Sequence, residues 1–200
     1  MALLLQNIIP HLHAEIRGSV SETEIDTISI DSRSMQNNQH TLFFALSGPN
    51  YDAHHYIPEL IAQGVQNFVV THIPENIVGK VAFLLVADTK MALQKFAVYY
   101  RSLFDFPVIG ITGSNGKTIV KEWLNFLLSP DYNIIRSPKS YNSQIGVPLS
   151  VIAINEKHNL GIFEAGISTV NEMLALQKII QPTIGLLTNI GSAHDEGFTN

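Results

Sequence analysis

Residues 112–118 read Thr-Gly-Ser-Asn-Gly-Lys-Thr and lie between an apolar stretch and an amphipathic one. Two glycines beside a Lys-Thr pair suit phosphate binding. Glycine lets consecutive backbone amides turn inward on a phosphate, and a helix starting there adds the partial positive charge of its N-terminus. The Lys117 ammonium can reach the β- and γ-phosphates of a nucleotide, and the Thr118 hydroxyl can ligate Mg²⁺. Gly113, Ser114, Asn115, Gly116, Lys117 and Thr118 are therefore candidate ATP-binding residues. The general spacing G-x-x-x-x-G-K-[ST] is not met, because Ile111 stands where the first Gly belongs and Gly110 comes one position early. The competing reading is a Gly-rich turn with an accidental Gly-Lys-Thr; the strand-to-helix context favours the phosphate loop.

Other residues could act with it. Glu164 closes an apolar stretch, and a carboxylate at a strand end facing a phosphate loop is a natural Mg²⁺ ligand; a Glu that merely ends a strand is the alternative. Asn142 reads, on its own, as a turn residue or helix cap. His194 is a lone loop histidine, and imidazole is not the usual partner of Mg²⁺. In the first half, Ser32 and Arg33 offer a hydroxyl and a forked cation that suit uracil or a diphosphate, although Asp31 and Arg33 could equally organise a turn. His54 and His55 are adjacent, so they rarely converge on one ion; they read as a helix start near a nucleotide.

The elements that must hold these residues alternate. Residues 25–30, 41–46, 67–70 and 82–86 read as strands, 53–63 as a helix stopped by Gly64, and a helix capped by Asp88 runs to about 104. The turn at 104–107 is a plausible domain boundary, giving 1–104 and 105–200. Beyond it, 108–112, 133–136, 160–164 and 183–188 read as strands and 118–128 as a helix, with Ile119, Val120, Trp123, Leu124, Leu127 and Leu128 on one side. Residues 169–180 read as a helix opened by a Thr169–Glu172 capping box, and 146–154 resist assignment. This pattern implies an α/β fold with a parallel sheet, whose ligands bind beyond the carboxyl ends of the strands. The loops after Thr112, Arg136, Glu164 and Thr188 are those ends.

Composition narrows the class. The formal net charge is −5, which argues against nucleic acid as a partner. There is no cysteine, so disulfides and thiolate metal sites are excluded and a reducing, cytoplasmic setting fits. The first ten residues lack a basic n-region and a cleavage site, and read as a buried element rather than a signal peptide. No run approaches the roughly 20 apolar residues of a membrane span.

The Thr112–Thr118 run resembles the ATP-binding motif of the Mur ligases and the related folylpolyglutamate synthetases. Lys139-Ser140-Tyr141-Asn142-Ser143-Gln144-Ile145-Gly146-Val147-Pro148-Leu149, with three residues between Asn142 and Gly146, is similar to the Asn- and Gly-x-Pro-bearing segment of the family's D-alanyl-D-alanine-adding branch. Thr188 to Glu196 resembles its Asn-Ile-Gly-x-Ala-His-x-Glu loop, and Ile30-Asp31-Ser32-Arg33 with residues 41–48 resembles its UDP-binding domain. Residues 162–168 and 194–198 also resemble the subgroup fused to an alanine racemase. Ala165, Ala53 and Asp195 depart from the usual residues.

The resemblance implies a small N-terminal α/β domain for the UDP substrate, followed by the start of an ATP-binding domain. It implies addition of D-alanyl-D-alanine to UDP-N-acetylmuramoyl-tripeptide through an acyl phosphate, with ATP and Mg²⁺. Lys117, Asn142 and His194 would be catalytic; Thr118, Glu164 and His194 would hold metal; Ser32, Arg33, Asn142 and Ser143 would touch substrate. Diaminopimelate- or lysine-adding relatives, or a nucleotide-binding module without catalysis, are the alternatives. A carbamylated lysine and a C-terminal domain would lie beyond Asn200, so residues 1–200 alone are expected not to turn over.

Overall fold

The computed structural model describes residues 2–19, 23–33, 38–75, 77 and 80–191. The chain separates into two compact units, Met1–Phe96 and Ala97–Asn200.

The first unit is a five-stranded sheet built from β1 (Glu15–Gly18), β2 (Thr27–Ser29), β3 (Thr41–Phe44), β4 (Asn67–Val70) and β5 (Ala82–Leu85). Its order is β1-β5-β4-β3-β2; β1 pairs antiparallel with β5 and the other pairs are parallel. β3 and β4 are buried at every position, as expected of strands covered on both faces. The core stacks Phe68 on Phe83 and sets Phe43 edge-on to Phe68, with Ile57 and Leu60 of α2 (Ile57–Ala62) against them. Helix α1 (Leu5–Leu12) buries Leu5, Ile8 and Leu12, which share one face at helical spacing. Gly64, at φ +99°, ends the α2 segment as foreseen.

Two details differ from the sequence reading. β1 is exposed along its length and has no apolar alternation, which hid it. The expected strand 25–30 is divided: Glu24–Ile25 pairs with Leu3–Leu4, and β2 joins the main sheet. Helix α3 (Thr89–Arg101) starts where Asp88 Oδ1 accepts the Met91 amide at 2.9 Å, and it ends short of residue 104. The division between the units falls inside this helix.

The second unit contains β6 (Val108–Thr112), α4 (Lys117–Leu128), β7 (Ile134–Arg136), α5 (Gly146–Ile152), β8 (Leu160–Glu164), α6 (Glu172–Ile180) and β9 (Ile184–Leu187). Its sheet is fully parallel, in the order β7-β8-β6-β9. Register places Ile111 opposite Glu164, and Thr112 opposite Leu187, so these strands end together. The stretch left unassigned at 146–154 is mostly α5. Pro148 is tolerated in its first turn because an amide there has no intrahelical acceptor. Helix α6 begins at Glu172 and not at Thr169; the Glu172 carboxylate accepts from the amides of Ser168 (2.7 Å) and Thr169 (3.2 Å), the acidic half of the expected box.

The largest correction concerns α4. Only Val120, Leu124 and Leu128 pack on the sheet, against Ile109, Ile111, Leu160 and Ile162. Ile119, Trp123 and Leu127 are exposed, as is Phe126. Seven apolar positions on twelve residues subtend more than one face, and a sheet takes only one.

Candidate nucleotide and metal site

The phosphate loop hangs between β6 and α4. Gly113 and Gly116 have φ of +130° and +83°, backbone that other residues resist. A Cβ on Gly113 would also collide with the Thr188 hydroxyl. Gly116 is the N-cap of α4, so the first amides of the helix face the loop without intrahelical acceptors. The Lys117 Nζ folds back onto the Gly113 carbonyl at 2.5 Å.

A second loop braces the first. Ser114 N donates to Asn189 O at 3.0 Å, and Asn115 N to Asn189 Oδ1 at 2.9 Å. The Thr188 hydroxyl donates to Asn115 O at 2.5 Å, and Ser114 Oγ accepts from Gly191 N at 2.9 Å. Thr188 and Asn189 are supports that the sequence reading attached only to the His194 motif. Gly113→Ala is expected to disturb this bracing, at about 1–3 kcal/mol of strain. Nucleotide affinity by calorimetry should fall more than the melting temperature; a variant with unchanged affinity would contradict this role for the loop.

At the neighbouring strand end, Glu164 is fully buried. Its Oε2 accepts from the Thr118 hydroxyl at 3.0 Å. Its Oε1 lies 2.9 Å from Lys121 Nζ, an ion pair that misses hydrogen-bond geometry. Two hard oxygen donors side by side, the Thr118 hydroxyl and the Oε2 of the fully buried Glu164, fit a divalent cation such as Mg²⁺.

Asn142 comes to the same strand end. Its carbonyl accepts from Gly166 N at 2.8 Å, an approach Gly166 permits because a Cβ would stand 2.9 Å from that oxygen. Ser143 Oγ accepts from Gly146 N at 3.1 Å and steadies the start of α5. The second unit thus brings Lys117, Thr118, Asn142 and Glu164 to the carboxyl ends of β6 and β8. His194 lies outside the described residues.

In the first unit, Arg33 clasps Asp31 with Nε at 2.9 Å and Nη2 at 2.8 Å, and its amide donates to the same carboxylate. These bonds hold the Asp31 carboxyl down at about 2. The turn-forming role therefore exists, while the guanidinium stays exposed beside the half-buried Ser32.

Asp52, His54 and His72 form a cluster of metal-ligand type. His54 is spoken for on both nitrogens: Thr71 N donates to Nε2 at 3.0 Å, so the ring proton sits on Nδ1, 2.6 Å from Asp52 Oδ1. This is a hydrogen-bonded clamp and not a metal site. Burial of His54 pushes its pKa below the ordinary 6.5, against the opposing pull of Asp52. Burial also acts to raise Asp52, but the His54 hydrogen bonds outweigh it and the carboxyl is lowered. A depressed histidine binds its proton more readily when unfolded, so its stability is complete above pH 6.5 and is lost as pH falls through the folded value. Melting curves should show the first unit weakening below pH 6.5, and His54→Gln should flatten that slope; an equal slope would remove His54 as the cause.

The family of the Mur ligase middle domain matches residues 111–200, and the Mur ligase family catalytic domain matches residues 24–101. The chain belongs to the Mur ligase family. A Synechocystis UDP-N-acetylmuramoyl-tripeptide–D-alanyl-D-alanine ligase is 36% identical over 173 residues, covering 86% of this chain and 38% of that protein. MurF from Acinetobacter baumannii superposes with a TM-score of 0.90 at 31% identity, over 99% of this chain and 43% of that one. The MurF ligase of Thermotoga maritima in complex with ADP gives 0.76 at 28% identity, over 84% and 38%. This Mur ligase chain spans about two fifths of the length of these relatives. Among its described residues no helix is long and apolar enough to cross a membrane.

Proposed function

We propose that this Mur ligase chain is the N-terminal part of an ATP-dependent ligase that adds D-alanyl-D-alanine to UDP-N-acetylmuramoyl-tripeptide in peptidoglycan precursor synthesis. The observation that carries this reading is the convergence of Lys117, Thr118 and the buried Glu164 at one strand end, with Asn142 beside them. The likeness to the D-alanyl-D-alanine-adding relatives supports the choice of substrate.

A free carboxylate resists attack by an amine, so it must first be activated. ATP phosphorylates the terminal carboxylate of the tripeptide and leaves as ADP. The D-alanyl-D-alanine amine then attacks the acyl phosphate, a C–N bond forms, inorganic phosphate leaves, and the amine proton passes to solvent. The protein contributes positioning and charge neutralisation. Lys117 and the loop amides bind the phosphates and steady the transferring phosphoryl group. Thr118 and Glu164 would hold Mg²⁺, which supplies charge neutralisation between the phosphates. His194 is proposed for a second ion. Asn142 would lie near the transferred phosphate and, with Ser143, touch the substrate, and Ser32 and Arg33 would meet the uracil or diphosphate. Residues 1–104 serve the UDP substrate and 105–200 begin the ATP-binding domain. The ATP and UDP-linked substrates of this reading support a cytoplasmic setting.

Calorimetry of this chain with UDP-muramoyl-tripeptide, and with UDP-muramoyl-dipeptide as control, tests the reading. Preference for the tripeptide is expected. Preference for the dipeptide would shift the assignment to the diaminopimelate- or lysine-adding branch.

A further inference from the structure

Lys121 is a lysine with no access to solvent, one turn beyond Lys117 on the sheet side of α4. Its ammonium donates to Ser137 O at 2.8 Å and Lys139 O at 2.5 Å, and sits 2.9 Å from Glu164 Oε1. Glu122 Oε1 is further off, at 3.3 Å. Ser137 closes the circle, because its Oγ accepts the Glu164 amide at 3.1 Å. One ammonium therefore touches the carboxylate that leans on Thr118 and the root of the loop that leads to Asn142. Buried ion pairs contribute little net stability compared with apolar packing of the same volume. What this one supplies is orientation.

We propose that Lys121 is a positioning residue: by gripping Glu164 Oε1 together with the Ser137 and Lys139 carbonyls, it presents Oε2 to the Thr118 side and sets the Asn142 loop against the same strand end. The proposal rests on the ATP and Mg²⁺ reading above. Lys121 need not touch nucleotide, metal or peptide. It acts as an outer-shell partner, the kind of group whose removal weakens metal affinity by about 10–100-fold.

The test uses the full-length protein and calorimetric titration of ADP, with and without MgCl₂. Wild type should bind ADP more tightly with Mg²⁺. In Lys121→Met that enhancement should shrink by about tenfold while metal-free ADP affinity stays unchanged. Lys121→Gln keeps donors for the two carbonyls but loses the charge, and should show the same loss. Full Mg²⁺ enhancement in either folded variant overturns the proposal. So does an equal fall in metal-free and Mg²⁺-dependent affinity, or failure of both variants to fold, since each assigns Lys121 to stability alone. A wild type that binds no ADP, or binds it without Mg²⁺ enhancement, sinks the underlying nucleotide and metal reading as well.

Discussion

Lys117→Met in the full-length protein should lower kcat by about 10³-fold, the loss typical when one preorganised donor to a developing charge is removed. Stability should fall less. Lys117 is half-buried and its Nζ bonds one loop carbonyl, a contact of about 1–2 kcal/mol. The two readouts separate a phosphate-handling lysine from a structural one. Steady-state phosphate release gives the first and thermal melting the second. A variant that keeps more than a tenth of wild-type turnover would remove Lys117 from the chemistry.

Glu164→Leu should cost stability as well as turnover. It leaves the Lys121 ammonium buried without its carboxylate, and breaking a buried pair from one side costs about 3–5 kcal/mol. Replacing both partners, as Lys121→Met with Glu164→Leu, should recover most of that loss, since no buried charge is then stranded. Urea unfolding followed by circular dichroism measures both. A double variant no more stable than the Glu164→Leu single would mean that side-chain packing, and not the stranded charge, sets the loss.

Local signals made much of this legible. β4 and β8 have the expected bounds, 67–70 and 160–164, because uninterrupted apolar runs between turn formers have one reading in a sheet covered on both faces. The turn at 113–116 was legible for a similar reason: Gly113 and Gly116 stand where the backbone must turn, directly before a helix. Failures came where partners are distant in sequence. β1 carries no apolar pattern and exists because it pairs with β5. Thr188 and Asn189 support the phosphate loop from the other end of the unit, which no local pattern reveals. Lys121 did leave a trace, a charge four residues after Lys117 on the side of α4 that faces the sheet. Nothing nearby in sequence announces its partner Glu164. In the first unit, the doubt over Asp31 and Arg33 was well placed: the turn is real, and it leaves the guanidinium on the surface.

The strand order of the second unit also sets a timetable. β6 is made first but lies between β8 and β9, so both its neighbours come from residues 160–187. The sheet of the first unit is complete once β5 has been made, at Leu85. At roughly 5–20 residues per second, a ribosome needs about 5–20 seconds more to deliver β9. During that interval β6 lacks one or both of its neighbouring strands, while the first unit is free to fold. The nascent chain should therefore resist proteolysis in two steps, and its seconds of greatest exposure to aggregation and chaperones belong to the second unit.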